Sequence, residues 1–287
     1  MKEKRRWLLF AVLVTLFWGV WGALIEIPEK GGFPATLGFS VWALTMIPCA
    51  LVAMKRVNFA LDRSRKQVLY GMLVGLTGAG GQLALFQALR EGPAFIIFPL
   101  ISLYPIITII LSSLLLRERT SLRGWIGIAI ALLAIFCLSW SKPEGTEISG
   151  VLWIIFATLV FFAWGIQAFF MKKANNIMRA ESIFTYMTFS AVIMIPLALG
   201  MTNWEQDINW SFSGPWLTAF IQVLNAIGAL MLVYAIRYGK SIIVVPMTSL
   251  APVITIILSL IIYAVFPGPV MIAGMVLAVI AIYLFAE

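Results

Sequence analysis

Long apolar stretches, separated by short polar connections, follow one another along the whole chain. A helix needs about 20 mostly apolar residues to cross the roughly 30 Å hydrocarbon layer of a membrane. The pattern therefore predicts an all-α integral membrane protein with ten transmembrane helices in a single domain, residues 1–287. The ten predicted spans are residues 7–25, 33–54, 68–89, 94–116, 124–140, 150–171, 183–201, 215–236, 242–265 and 270–286.

Lysine and arginine residues are distributed unevenly between the two sides of this predicted bundle. If the N-terminus is cytoplasmic, 17 of the 20 basic residues lie on the cytoplasmic side, and Lys30, Arg90 and Lys142 lie outside. Short cytoplasmic loops are enriched in basic residues, so the distribution supports ten crossings. It predicts a multi-pass protein of a bacterial-type cytoplasmic membrane with both termini in the cytoplasm. Because these loops explain the net charge of +8, no nucleic-acid partner is expected.

The two halves of the chain have related sequences. Residues 102–112 read SLYPIITIILS and residues 249–259 read SLAPVITIILS, at an offset of 147 residues, while Trp18 matches Trp164 at an offset of 146. Each half contains five spans, an odd number, so the second copy must enter the membrane from the opposite side. Inverted five-helix repeats of this kind are typical of secondary transporters. The predicted repeats are residues 7–140 and 150–286.

The residue types present exclude several kinds of chemistry. Apolar residues make up 62% of the chain and charged residues 11%, and there is no histidine. Charged residues fall in or near the connections, and Glu26, closest to the membrane interior, is expected to be solvated. Cys49 and Cys137 lie in apolar spans, where a small buried side chain is their usual role. Neither a cofactor, a metal site nor an enzyme activity is expected.

Polar and aromatic side chains within the spans are the candidates for contact with a solute. Gln222 and Asn225 share one helix face, and the repeat places Gly75 and Gly78 at the corresponding positions. Such amides either line a solute pathway or only join helices by hydrogen bonds. Their grouping around the predicted two-fold axis favours the first alternative. The predicted solute-binding residues are Trp18, Trp21, Gln82, Phe86, Tyr104, Trp164, Gln167, Gln222, Asn225 and Thr248.

Prolines occur at matching places in spans 4 and 9. Each removes a backbone hydrogen bond and can bend or unwind its helix. Their symmetrical placement predicts paired bends, which are either static or move during transport. The predicted hinge or gating residues are Pro99, Pro105, Pro246 and Pro252.

Short motifs recur in a defined order along the chain. They are Trp18-Gly19 in span 1, Ala88-Leu89-Arg90 at the end of span 3, Ser102-Leu103 before Pro105 in span 4, and Arg117-Glu118-Arg119 after it. In order, spacing and duplication these motifs resemble the EamA-type members of the drug/metabolite transporter superfamily. The resemblance implies a central cavity lined mainly by spans 1, 3, 4, 6, 8 and 9, and transport of amino acids, related metabolites or drugs. The second half departs from the pattern, because residues 264–267 read AVFP where a second glutamate is usual.

These observations predict a secondary transporter that moves small neutral or zwitterionic organic solutes by alternating access, in export or exchange. The absence of a central basic residue disfavours phosphate-bearing solutes. A drug or cation exporter and a lipid-linked carrier of the same superfamily are the alternatives, and a receptor is a more distant one. Besides the solute, membrane lipid is the expected partner, and the sequence leaves the oligomeric state undetermined.

Overall fold

The computed structural model describes residues 6–140, 151–263 and 266–286, which form helices joined by turns and loops. No β-strand occurs among the described residues, which confirms the all-α prediction. Nine helical segments of this part are long and apolar enough to cross a membrane, and a further apolar helix, Pro269–Phe285, is shorter. The helices are α1 (Arg6–Leu24), α2 (Glu26–Lys30), α3 (Ala35–Lys55), α4 (Arg65–Glu91), α5 (Ala94–Ser102), α6 (Pro105–Leu115), α7 (Leu122–Ser139), α8 (Leu152–Asn175), α9 (Ala180–Ile193), α10 (Ile195–Met201), α11 (Leu217–Tyr238), α12 (Ser241–Thr248), α13 (Pro252–Tyr263) and α14 (Pro269–Ala286), with a π-helical turn at Phe212–Trp216 before α11.

The outer surface of the bundle is suited to lipid. Large apolar side chains such as those of Leu114, Leu122 and Ile261 are 72%, 77% and 73% exposed. The helix contacts inside the bundle are made largely by alanines and medium-sized apolar residues, and Ala43, Ala131 and similar residues are fully buried. In lipid no hydrophobic force drives helices together, so their association depends on close van der Waals packing, which small residues allow. The chain is a multi-pass membrane protein.

Spans 4 and 9 are each divided into two helices at their second proline. α6 begins at Pro105 and α13 at Pro252, and a non-helical turn precedes each. Proline is compatible with the first turn of a helix, because the N–H that it lacks would have no helical partner there. Pro99 and Pro246 lie inside α5 and α12. The two halves therefore have breaks at corresponding positions, while a hinge function for these prolines stays a prediction.

Several helix boundaries differ by two to four residues from those expected from the apolar pattern, as α8 and α9 illustrate. α8 continues to Asn175, whereas span 6 was expected to end at residue 171, before the basic pair Lys172-Lys173. α9 begins at Ala180 rather than at residue 183. The helix continues through the basic pair because neighbouring backbone carbonyls accept hydrogen bonds from Lys172, a contact that hydropathy does not detect.

Each half packs chiefly against the other half. α1 contacts α11 and α13, and the corresponding helix α8 contacts α4 and α6. The pairs α3 with α11 and α9 with α4 are related in the same way. The helix contacts thus have a pseudo-two-fold symmetry.

The corresponding helices α7 and α14 pack against each other and run antiparallel. A Cβ added at Gly127, near the start of α7, would lie 2.9 Å from the Phe285 ring at the end of α14. A Cβ added at Gly274, near the start of α14, would lie 2.9 Å from the Cβ of Cys137 at the end of α7. Glycine permits this close approach, since any larger side chain at either position would overlap the facing helix.

Candidate functional site

Trp18 on α1 and Trp164 on α8 occupy corresponding positions and make corresponding hydrogen bonds. The indole N–H of Trp18 donates to the backbone carbonyl of Asn225 at 3.4 Å. The indole N–H of Trp164 donates to the backbone carbonyl of Gly78 at 3.3 Å. Because Gly78 and Asn225 are themselves related by the repeat offset, the two tryptophans join the halves in the same manner.

A glycine underlies each of these indoles. A Cβ at Gly228 would lie 2.5 Å from the Trp18 ring, and one at Gly81 would lie 2.5 Å from Nε1 of Trp164. Both tryptophans are half-buried. The glycines let the indole rings approach α11 and α4 closely enough to make these hydrogen bonds.

Two threonines join the helices that carry these tryptophans, α8 and α1, to α6 and α13. Thr108 on α6 donates to the carbonyl of Gly165 at 2.8 Å, and Thr255 on α13 donates to the carbonyl of Gly19 at 2.9 Å. These four residues are again corresponding pairs. The scaffold around the tryptophans is therefore duplicated in detail.

The side chain of Gln222 is engaged by three neighbours. Its Oε1 accepts from the indole N–H of Trp21 at 3.0 Å and from the amide of Asn225 at 3.3 Å. Its Nε2 donates to the carbonyl of Gly38 at 3.2 Å, and the residue is 5% exposed. This network joins α1, α3 and α11, so Gln222 and Asn225 hold Trp21 in place.

The corresponding region of the other half has free amides. Gln167, the counterpart of Trp21, lies against Gly78, and within the described residues neither it nor Gln82 has a hydrogen-bond partner. Both side chains are half-buried, as is Phe86 one turn beyond Gln82 on α4. An amide without a partner in a partly solvated site is available to a solute, because it has no bond to lose.

The break between α5 and α6 brings Tyr104 into this group. Its ring meets that of Trp164 edge to face at a centroid distance of 5.8 Å, and its hydroxyl lies 2.9 Å from Oγ of Ser249 at the corresponding break in span 9. Thr248 is 1% exposed and donates to the carbonyl of Val245. Tyr104 thus lies among the aromatic residues, whereas the hydroxyl of Thr248 is turned into the helix.

These contacts bring the predicted residues together in two groups without a charged side chain, one around Trp21 and Gln222 and one around Trp164 and Gln167, which are together called the wall below. Its indole and phenol faces can pack against apolar groups or attract a cationic group, and its free amides can both donate and accept. This chemistry suits a small uncharged or zwitterionic molecule.

The bundle is closed at one end. The end formed by residues 116–121 and 237–242, called the closed end below, is sealed where α12 packs against α6 and α7. Among the described residues, the corresponding helices α5 and α13 make no contact of comparable extent at the opposite end. The half-exposed wall is thus separated from one side of the bundle and less restricted on the other.

A lateral groove of about 580 Å³ lies between α4, α8 and α10. Its lining includes the small residues Gly80, Gly81, Ala84 and Ala163, with Gln87 as a polar residue. Gly81 is also the residue beneath the indole of Trp164. The groove therefore reaches the back of the aromatic wall.

Two largely buried charged residues at the closed end, Glu118 and Lys172, were not expected from the sequence. The side chains are 9% and 17% exposed, and Oε1 of Glu118 lies 3.8 Å from Nζ of Lys172. Both were assigned to connections, because charged residues beside apolar spans usually face water. The signal that could have found Glu118 is its position as the single acidic residue between Arg117 and Arg119.

Comparison with known proteins places the chain among membrane transporters. The sequence profile of the EamA-like transporter family matches residues 5–140 and again residues 151–286. An uncharacterized transporter of Archaeoglobus fulgidus is 21% identical over 253 residues, which are 86% of this chain and 85% of the relative. An uncharacterized protein of Methanocaldococcus jannaschii is 32% identical over 136 residues, 47% of this chain and 97% of that protein. A crystal structure with 15% identity superposes with a TM-score of 0.78 over 97% of each chain, which shows the shared fold.

Proposed function

Because the chain belongs to the EamA-like transporter family, part of the drug/metabolite transporter superfamily, we propose that it is a secondary transporter of small neutral or zwitterionic organic solutes. Amino acids or related metabolites are the proposed substrates, moved by alternating access in export or exchange across the cytoplasmic membrane. All of the predicted solute-binding residues except Thr248, whose hydroxyl is bonded within its helix, form the proposed wall of the site. Within it, Gln82 and Gln167 contact the solute, and Gln222 and Asn225 position Trp21.

The observation that carries this proposal is the pair of partner-free amides among aromatic rings in an uncharged wall. Gln82 and Gln167 offer hydrogen bonds, while Trp18, Trp164 and Tyr104 offer apolar surface. A transport site needs polar groups that bind the solute without first breaking bonds within the protein. The closed end and the less restricted opposite end support a site that opens to one side at a time.

Ten spans in two inverted repeats, with both termini cytoplasmic, form part of the same proposal. The antiparallel packing of α7 against α14 supports the inversion, since corresponding helices that run in opposite directions cannot belong to repeats of the same orientation. The shorter helix Pro269–Phe285 is the proposed tenth span. The basic residues in the loops at the closed end support a cytoplasmic location for that end.

The lateral groove favours a second candidate, a carrier of lipid-linked or amphipathic solutes. Gly80, Ala84 and Ala163 line the groove. The corresponding residues of the other half are the larger Ile227, Met231 and Phe17. A groove open to lipid at this place would admit the apolar part of an amphipathic solute beside Trp164.

A ligand screen followed by one pair of substitutions tests the main proposal. Purified protein is heated with amino acids, nucleosides, sugars and organic cations, since a ligand at 100 times its Kd stabilises the folded state by about 2.7 kcal/mol. Gln167→Leu is then expected to weaken binding of the stabilising solute about tenfold, the effect of losing about 1.4 kcal/mol of hydrogen bonding. Its melting temperature without solute should be unchanged, because the Gln167 amide has no bond within the protein.

Gln206→Leu is the matched control, because Gln206 lies exposed in the loop after α10. It should alter neither binding nor melting. A response confined to lipid-linked or amphipathic compounds would favour the second candidate. No stabilisation by any class, or full affinity in Gln167→Leu, would contradict the proposed site.

A further inference from the structure

Lys172 and Glu118 connect four chain segments at the closed end. Nζ of Lys172 donates to the carbonyl of Ile236 at 2.9 Å and to that of Gly239 at 2.5 Å. Those carbonyls end α11, where a positive charge is favourable because the C-terminus of a helix carries partial negative charge. The ammonium group of Lys172, on α8, thus caps the C-terminus of α11.

Glu118 caps the N-terminus of α12 in a similar way. Its Oε2 accepts from the backbone N–H of Ile242 at 3.1 Å, at the N-terminus of a helix, where a negative charge is favourable. The position of Glu118 is set locally, because its own N–H donates to the carbonyl of Ser112 at 3.1 Å and Arg117 turns the chain with a φ of +53°. A further bond joins Nζ of Lys240 to the carbonyl of Arg119.

The pair joins the two repeats. Glu118 comes from the first half, and Lys172, Ile236 and Ile242 come from the second. Its members lie 3.8 Å apart in a setting that is mostly withdrawn from water. A buried charge that loses its partner is strongly destabilising, so any movement that separates the halves here has to overcome this interaction.

The two positions at the opposite end that correspond to Glu118 and Lys172 cannot form an equivalent pair. By the repeat offsets, Lys172 corresponds to Glu26 and Glu118 corresponds to Val265. Glu26 instead pairs with Lys30 at 2.6 Å, four residues on, with 44% of its side chain exposed. The two halves thus have equivalent helices, but the ion pair at the closed end joins the halves, whereas the Glu26–Lys30 pair at the opposite end lies within one half.

We propose that Glu118 and Lys172 form a gate latch, which holds α6 and α12 together and keeps the transporter closed at this end in its resting state. The inference rests on the proposed alternating access. The latch breaks once in each transport cycle, when the closed end opens and the opposite end closes. Because the positions at the opposite end that correspond to Glu118 and Lys172 cannot form such a pair, the conformation open at that end is the more populated one without solute.

Two cysteine reporters test the latch without any solute. Ser241→Cys reports on the closed end, because Ser241 is fully buried beside Ile242. Gln82→Cys reports on the half-exposed wall. Each is placed in protein whose Cys49 and Cys137 are replaced by alanine, and maleimide labelling is timed in lipid nanodiscs, where both faces are accessible.

Lys172→Met and Glu118→Gln are the latch variants. Glu118→Gln keeps an oxygen acceptor for the N–H of Ile242 and removes only the charge. Labelling of the Ser241→Cys reporter should accelerate about tenfold or more in either variant, and labelling of the Gln82→Cys reporter should slow. Since the two residues act as one unit, the double variant should label no faster than the stronger single variant.

Lys173→Met is the matched control. It removes the same charge from the adjacent position, where Nζ of Lys173 lies over the Phe169 ring at 4.9 Å, and both labelling rates should stay at parent values. Unchanged labelling in the latch variants would overturn the proposal. Faster labelling of both reporters together would also overturn it, because loosening of the fold rather than gate opening would be the cause. Neither result depends on solute binding, so a failed latch and a failed transport site are distinguishable.

Discussion

Corresponding residues of the two halves pack in the same way around the site but differ in their side-chain hydrogen bonds. Trp18 and Trp164 each rest on a glycine and donate to a backbone carbonyl of the facing helix. One position further along the wall, Trp21 is bonded to Gln222, whereas its counterpart Gln167 has no partner in the described structure. The duplicated scaffold thus has one corner whose side chains are bonded to each other and one corner with a free amide.

Replacement of Gln222 by leucine tests this division of roles. Gln222→Leu leaves the indole N–H of Trp21 and the carbonyl of Gly38 without partners, so the free energy of unfolding should fall by about 1 kcal/mol. Flux per folded molecule should remain near that of the parent protein, measured by uptake into proteoliposomes alongside thermal melting. Reduced flux with unchanged melting would instead place Gln222 in direct contact with solute.

Elements show the same duplication on a larger scale. The breaks before Pro105 and Pro252 divide spans 4 and 9 at corresponding positions, and the contacts of α1 are repeated by α8. The helices α7 and α14 meet through glycines at positions that are themselves related by the repeat. Glycine at both crossings keeps the antiparallel pair close enough for backbone contact.

A cysteine at position 274 tests the antiparallel arrangement of α7 and α14. In protein with Cys49 replaced by alanine, Gly274→Cys puts a second thiol beside the native Cys137, with a Cβ–Cβ distance of 2.9 Å. The two helices have to move apart by about 1 Å to reach the roughly 3.8 Å of a disulfide. Mild oxidation should remove both free thiols within one chain, detected by mass spectrometry after proteolysis. A cysteine in place of Gly268, which has nothing within 4 Å, should leave both thiols free, and the same outcome at position 274 would contradict this packing.

The molecule as a whole is duplicated in its helices but differs in how its two ends are held. One end has the Glu118–Lys172 pair and the contact of α12 with α6, while the corresponding positions of the other end, Val265 and Glu26, cannot form such a pair. Inverted halves with identical ends would have two conformations of similar energy. The polar bonds at one end therefore select a resting conformation.

Labelling from the two sides of the membrane tests the inverted orientation of the halves. Glu91 and Tyr238 are related by the repeat and are both exposed, so cysteines at these positions should react without disturbing buried contacts. In protein free of native cysteines, Glu91→Cys is expected to react with an impermeant maleimide from outside and Tyr238→Cys from the cytoplasm. Reaction of both from the same side would exclude inverted repeats.

The amino-acid sequence by itself determined the class of protein and much of its organisation. Membrane helices are encoded by about 20 consecutive apolar residues, a local property, so the all-α fold and the approximate positions of the spans could be read directly. The duplicated segments 102–112 and 249–259 indicated the repeat. The positions of Pro105 and Pro252 predicted the paired helix breaks, because proline acts on its own backbone.

Only the tertiary structure decided which polar residues are free and which are bonded. Gln222 and Gln167 look alike in the sequence, yet one has three hydrogen-bonding neighbours and the other has none in the described residues, because partners come from helices distant in the chain. Lys172 and Glu118 were assigned to loops, since hydropathy treats a charge as solvated. Their burial depends on the ends of α11 and α12, whose backbone groups and helix dipoles stabilise these charges only when four segments meet.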